Sequence, residues 1–449
     1  MNLFNKFKNL DANSRIVLKN TAFAVLIKGG SLGLSLLTTP AFVRYFGNNT
    51  VLGVWYTLLS VLTWFLNFDL GIGNGIRNHL AKDLVRGDRI SARKTISSGL
   101  FANGAVAMVL SLVGIFVILS ADLNSVYNVE TTVISAEVLR KATLMVFVGI
   151  MLRFFLTGIS AVFYALQESS VNSFLALCVS LMQLGFVLLT KPADPEQGLL
   201  MLSTAYMLIA NLPMMVAAVV IFSSKLRDCR PDVGFVDRVH IRKVMGIGTV
   251  FFVCQITYML LVNTNEFLIS RLFGPQYTTE YTFYYKLTGL ISMLISLALT
   301  PMWSAITKAM EENNYSWVNK LYRKLKCIGL LSAVFQFLFI LVQQFVMDLW
   351  LGESSIRIDY WIALAFACFG STFTYSSVLS TIVCGMARMK LQMVCYTVGA
   401  VAKFGSVLLL AQILENWSVV VWVNAAVLLV YCTAQQIDLD KYMKTLAKK

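Results

Sequence analysis

The sequence predicts an all-α membrane protein with about twelve transmembrane helices in two six-helix parallel repeats. Three observations carry that reading. Of 449 residues, 57% are hydrophobic and only 13% charged, whereas an ordinary soluble domain carries roughly a quarter charged residues. Apolar blocks recur along the whole chain at about 20 residues each, the length that crosses bilayer hydrocarbon at 1.5 Å rise per residue. The cations collect between those blocks, in alternate loops, rather than on one soluble face.

Taken in order, the apolar blocks predict spans at 21–43, 52–72, 97–120, 142–166, 170–190, 198–223, 244–270, 281–301, 326–347, 359–384, 391–413 and 417–436. Only Gln167, Glu168, Ser169 and Ser170 separate the fourth from the fifth. Lys6, Lys8, Arg15 and Lys19 precede a first apolar run longer than a signal-peptide core, with no small-residue cleavage pattern at a suitable distance. That run is expected to stay in the membrane.

Loop charge sets the orientation. Segments on the side of the N-terminus hold 27 Lys and Arg, counting Lys326 with its loop, and the opposite loops hold 6. The positive-inside rule then places both termini in the cytoplasm. The net charge of +14 is thus a topology signal, and a nucleic-acid partner is not expected. No loop is long enough for a soluble domain, so the chemistry is expected within the bundle or at its rims. The eight cysteines form no CxxC pair, and the only histidines are His79 and His240. Neither a metal site, a disulfide framework nor a cofactor is expected.

Short self-similarities mark two halves. Arg44-Tyr45-Phe46-Gly47 ends the first span and Arg271-Leu272-Phe273-Gly274 the seventh; Gly185-Phe186-Val187-Leu188-Leu189 is echoed by Gly405-Ser406-Val407-Leu408-Leu409. Six spans being an even number, both halves enter from the same side and form parallel repeats. The expected organisation is a lobe over 1–223, a basic linker over 224–243 and a second lobe over 244–449. Two such bundles can enclose a central cavity that opens to either side by rocking.

Four cations fall inside the spans: Lys28, Arg153, Lys286 and Lys403. Each costs about 2.5–3.5 kcal/mol at a helix centre unless it meets water, a partner or a ligand. Arg153 heads a row with Thr157, Ser160, Tyr164 and Gln167, and Lys403 shares a row with Gln392, Tyr396, Gly399 and Ser406. Lys28 continues into Ser31, Ser35 and Thr38. Such 3.6-period stripes belong on the bundle interior. Lys286, beside Tyr284 and Tyr285, can instead snorkel to the interface. The intramembrane acids are Glu266 and Asp69, so a positive interior is expected, suited to a phosphate or diphosphate. In the alternative reading, the cations pair with acids and hold helices together. Glu266 follows Asn263, Thr264 and Asn265, and is read either as a proton or sodium site or as a helix staple; Asp69 is the second ion-coupling candidate.

The second span ends in Phe68-Asp69-Leu70-Gly71-Ile72-Gly73-Asn74-Gly75-Ile76-Arg77-Asn78, and the eighth in Thr300-Pro301-Met302-Trp303-Ser304-Ala305-Ile306-Thr307-Lys308-Ala309. In these positions the two stretches resemble the polysaccharide biosynthesis/transport family, specifically Wzx-type O-antigen flippases. The resemblance implies a MATE-like fold in the bacterial inner membrane. It implies flipping of an undecaprenyl-diphosphate-linked oligosaccharide between leaflets, with membrane lipids, H+ or Na+, and the polysaccharide polymerase machinery as further partners. It also implies that cavity cations, here Arg153, Lys403, Lys28 and Lys286, bind substrate. The competing expectations are a lipid II or multidrug exporter of the same superfamily, or an O-antigen polymerase or ligase. The outer loop at 121–141 shows no catalytic constellation for the last of these, so no enzymatic activity is expected.

Overall fold

The computed structural model describes residues 12–68, 71–166, 168–245, 249–386 and 388–446. Asp69 lies outside the described residues, as does the side chain of Lys28. Among the described residues there is no strand. The helices are α1 (Ala12–Phe46), α2 (Asn49–Thr63), α3 (Ile72–Val85), α4 (Arg89–Ser120), α5 (Leu123–Tyr127), α6 (Ala136–Ala165), α7 (Ser169–Leu189), α8 (Pro195–Ile209) and α9 (Leu212–Ser223). They continue as α10 (Arg238–Met245), α11 (Thr249–Val262), α12 (Asn265–Phe273), α13 (Pro275–Glu311), α14 (Tyr315–Phe339), α15 (Gln343–Leu351), α16 (Tyr360–Gly385), α17 (Lys390–Leu410) and α18 (Val419–Leu446). Among the described residues, nine helical stretches are long and apolar enough to cross a membrane. The expected first, seventh and eighth spans, outside those nine, are also helical: α1, the interrupted pair α11–α12, and α13.

The helices gather into two compact units, interleaved along the chain. Unit 1 holds residues 1–46, 68–121 and 140–247; unit 2 holds 47–67, 122–139 and 248–449. In unit 1, α1 lies along α7, and α3, α4 and α10 pack together. Its core joins Ile72, Ile76 and Leu80 of α3 to Ile96 and Leu100 of α4, Ile159 and Val162 of α6, and Val244 of α10. In unit 2, α16 is the central helix, packed on α13, α14 and α18, while α11 pairs with α17 and α2 with α13. Aromatic rings fill one end of its core, with Tyr284 stacked on Phe366 at 5.3 Å between centroids.

The helix α4 shows which solvent this surface is made for. Phe101, Met108, Leu112 and Phe116 stand exposed, whereas Asn103 is 1% exposed and donates to Phe154 O and Phe155 O of α6. An apolar outside and a polar inside suit lipid, where helices associate through close packing and interhelical hydrogen bonds.

Two glycines of the motif after the second span have definite jobs. Gly71 precedes α3 with φ 73°, in the left-handed region, which glycine adopts without steric cost. Gly75 lets α3 meet α10 backbone to backbone, since a Cβ there would stand 2.0 Å from Val244 O. The two Arg-x-Phe-Gly sequences also share a local geometry. Both α1 and α12 end at the Phe, and the Gly that follows has positive φ, 57° at Gly47 and 122° at Gly274.

Candidate functional site

The polar row on α6 forms one wall of a cleft inside unit 1. Arg153, Thr157, Ser160 and Tyr164 face Asn172 and Val179 of α7, and Ala210 and Asn211 at the α8–α9 junction close the cleft, whose volume is about 230 Å³. The sequence spacing of i, i+4, i+7 and i+11 thus becomes a lining. Gln167 lies outside the described residues.

The junction that closes the cleft is a helix interruption. Pro213 has no backbone N–H to continue an α-helical ladder, and the chain breaks at Ala210 and Asn211 between α8 and α9. In hydrocarbon, carbonyls freed by a break must be bonded internally. Arg153 Nη1 donates to Ala210 O at 3.0 Å. Asn211 Nδ2 donates to Gly149 O and Met207 O at 2.9 and 2.8 Å, tying the break to α6. Asn172 Nδ2 donates to Ser160 O at 3.1 Å. Among the described residues, the Oδ1 atoms of Asn172 and Asn211 find no hydrogen-bond partner, a deficit of about 1–3 kcal/mol each that a donor from a ligand or water would relieve. Toward the end of the row, Arg77 of α3 lies over the Tyr164 ring at 5.3 Å. Eleven residues of helix put Tyr164 about 16 Å along α6 from Arg153, so the row carries a cation at each end.

Unit 2 contains an interruption that a buried cation reaches. The expected seventh span is broken between α11 and α12 by Asn263 and Thr264. Lys403, 0% exposed, reaches it from α17. Its Nζ donates to Leu261 O at 2.7 Å, Asn265 Oδ1 at 2.7 Å and Thr264 Oγ1 at 2.9 Å, with Leu260 O at 3.5 Å. From α2 and the turn after it, Ser60 Oγ and Trp64 Nε1 donate to Asn263 O at 3.1 and 2.8 Å. Asn265 Nδ2 in turn donates to Tyr281 OH of α13, and Asn424 Nδ2 of α18 donates to Asn265 Oδ1. Glu266, in the first turn of α12, has Ser60 Oγ 3.2 Å from its Oε2.

The four predicted cations therefore occupy different settings. Arg153 lines the unit 1 cleft. Lys403 is enclosed in unit 2, and its stripe-mates Gln392, Tyr396 and Gly399 are buried with it. Lys286 of α13 is half-buried, its Nζ 5.5 Å from the Tyr56 ring centroid, so its ammonium meets an aromatic face. Lys28 belongs to α1. Glu266 lies in the same unit as Lys403 and Lys286.

Sequence reasoning passed over Asn172, Asn211, Ser60, Trp64 and Asn424. Two signals were available for the breaks. Asn211-Leu212-Pro213 carries a proline within an apolar span, and Asn263-Thr264-Asn265 is a polar triplet in the middle of another. Each marks a place where the ladder stops and side chains from other helices must bond its carbonyls.

Long apolar helices, with breaks inside the α8–α9 and α11–α12 stretches, define a multi-pass membrane protein of MATE-like fold. The chain is similar in structure to an inward-facing multidrug resistance MATE family transporter of the MOP superfamily, with TM-score 0.70 and 14% identity, over 95% of this chain and 99% of that one. It is similar also to a MOP superfamily transporter from Pyrococcus furiosus (TM-score 0.64, 14% identity, 96% and 97% covered). A third likeness is to the Vibrio cholerae MATE transporter VcmN in its bent form (TM-score 0.61, 10% identity, 95% and 98% covered). Comparison with curated proteins gives no match. The chain belongs to the family of polysaccharide biosynthesis proteins, whose family model matches residues 17–305, well over half its length.

Proposed function

We propose that this protein is an exporter that flips an undecaprenyl-diphosphate-linked oligosaccharide, an O-antigen unit, from the cytoplasmic to the periplasmic leaflet of a bacterial inner membrane. The observation that carries the reading is the cleft of unit 1, where a guanidinium, hydroxyls and carboxamides line one wall system within an otherwise apolar bundle. A sugar diphosphate does not cross hydrocarbon unaided, because burying ionised and hydroxyl groups without partners costs many kcal/mol. Arg153 offers paired donors to phosphate oxygens, Arg77 and Tyr164 a second contact point, and the Asn172 and Asn211 oxygens accept from sugar hydroxyls. A cleft of about 230 Å³ suits the diphosphate and the first sugar, with the polyprenyl chain remaining in lipid.

In this reading, lobes over 1–223 and 244–449 rock about the basic linker at 224–243, with both termini cytoplasmic. Lys28 and Lys286 add positive potential along the path. Lys403 contributes charge from behind the helix break. Glu266, with Ser60, is assigned to ion coupling, with Asp69 as its counterpart in the first lobe. A cationic lining favours an anionic cargo over the cationic amphiphiles of a multidrug exporter. The Pyrococcus furiosus transporter is described as having a binding pocket of reverse polarity that suggests a different function for it, a precedent within this fold for a change of pocket polarity.

The test is rescue of surface polysaccharide in a bacterium lacking its own flippase and supplied with the cognate sugar genes. Wild type, Arg153→Lys and Arg153→Ala are compared at equal membrane levels. Loss of a charge-assisted contact of about 1.5–3 kcal/mol predicts roughly 10–100-fold less transport for Arg153→Ala and a smaller loss for Arg153→Lys. Full rescue by Arg153→Ala removes the cleft from the mechanism, and no rescue by wild type removes the substrate assignment.

A further inference from the structure

The shell around the Lys403 ammonium has the composition of a monovalent-cation site. Two carbonyls from the C-terminal end of a half-helix (Leu260 and Leu261), a hydroxyl (Thr264) and a carboxamide oxygen (Asn265) converge on one point at 2.7–3.5 Å. Broken helices in transporters use this kind of oxygen set, unwound carbonyls and a half-helix C-terminus, to hold Na+. The position favours positive charge because the carbonyl end of a helix carries about half a negative charge. An ammonium and a desolvated alkali cation answer the same need, and here the cation arrives on α17.

The surroundings are built to keep it. Asn265 Oδ1 is oriented by a second donor, Asn424 Nδ2 at 3.2 Å, while its Nδ2 is held by Tyr281 OH at 3.1 Å. Thr264 Oγ1 donates to Leu260 O at 2.7 Å, which turns its lone pairs toward Lys403. The N-terminus of α12, facing the same break, has the acid Glu266 in its first turn, where a negative charge suits the opposite dipole end.

We propose that the α11–α12 break is a monovalent-cation site permanently occupied by the chain's own ammonium, and that removing that ammonium creates a site for a free small cation, Na+ or a short alkylammonium. The break then needs no bound ion in the natural protein. Truncation at Lys403 also removes the buried volume of the side chain that leads to the shell.

The test uses the purified full chain and reads thermal unfolding, independently of what is exported. Wild type, Lys403→Ala, Lys403→Gln and Lys403→Met are titrated with NaCl, with ethylammonium chloride and with choline chloride at matched ionic strength. Lys403→Ala is expected to unfold several degrees below wild type and to recover at least half of that loss, saturably, in sodium or ethylammonium but not in choline. Recovery in ethylammonium alone assigns the site to an amine-sized cation; recovery in sodium assigns it to a metal ion. Lys403→Gln, which keeps a donor without charge, is expected to fold and to gain sodium-specific stability if the alanine variant fails to accumulate. Lys403→Met, which refills the volume with an apolar chain, is expected to stay low in ethylammonium. Equal response of wild type and the variants to all three salts, or wild-type stability of Lys403→Met, overturns the proposal.

Discussion

Gly75→Ala places a methyl group where α3 and α10 touch. The new Cβ would lie 2.0 Å from Val244 O and 2.7 Å from both Val244 C and Val244 Cα. All three neighbours are backbone atoms, so no rotamer change relieves the overlap, and the helices must separate by about 1 Å. Overpacking of this kind costs typically 1–3 kcal/mol. Against it stands the gain of roughly 1 kcal/mol that alanine brings to a helix interior. The matched control is Gly405→Ala in α17, where a Cβ meets nothing within 4 Å among the described residues, so only the propensity gain of about 1 kcal/mol remains. The two variants make the same chemical change and are expected to move in opposite directions, separated by about 1–3 kcal/mol. Unfolding of the purified proteins in detergent, followed by intrinsic fluorescence against temperature or denaturant, measures the separation. If Gly75→Ala unfolds at or above the wild-type midpoint, or Gly405→Ala falls as far as Gly75→Ala, the close approach is not what the glycine serves.

Three further outcomes follow from named contacts, beside the Arg153 and Lys403 series. Trp64→Phe keeps an aromatic side chain, though a smaller one, but removes the Nε1 donor to Asn263 O; it is expected to cost about 1 kcal/mol or more, and unchanged unfolding would show that Ser60 alone bonds that carbonyl. Asn211→Leu removes both bonds that tie the α8–α9 break to Gly149 and Met207, and is expected to cost about 1–3 kcal/mol and to increase amide hydrogen exchange at the break. In the linker, a hydrogen bond from His240 Nδ1 at 2.6 Å, with help from the Val239 amide, holds the Asp237 carboxyl below its ordinary range. A depressed carboxylate contributes stability above its unfolded value near 3.9 and loses it as pH falls through the lower folded value. Asp237→Asn is therefore expected to flatten the acid limb below about pH 4 of a midpoint-against-pH curve; an unchanged limb assigns the acid sensitivity to other groups.

Much of the architecture is written in composition. Apolar blocks of span length leave few alternatives to helices, because only a helix bonds its own backbone within a single stretch of hydrocarbon. The row Arg153, Thr157, Ser160 and Tyr164 was readable for a related reason. The α-helix period converts spacing into a face, and in lipid a polar face turns inward. The glycines of the 71–75 stretch were visible as a motif, but their work, a left-handed cap and a backbone contact, needed α3 and α10 in place.

What the tertiary structure decided is where the buried cations find their compensating negative potential. Counting side chains left four intramembrane cations against Glu266 and Asp69, and so suggested either a ligand or an acid for each. The structure supplies a partner that side-chain counting does not include. Arg153 bonds Ala210 O and Lys403 bonds Leu260 O and Leu261 O, carbonyls released where helices are interrupted. A helix break turns backbone into a charge partner only once another helix delivers a cation to it, and α17 meets α11 across more than a hundred residues of sequence. Local sequence fixes the hydrophobic pattern and the polar faces; the pairing of a break with its cation belongs to the packing.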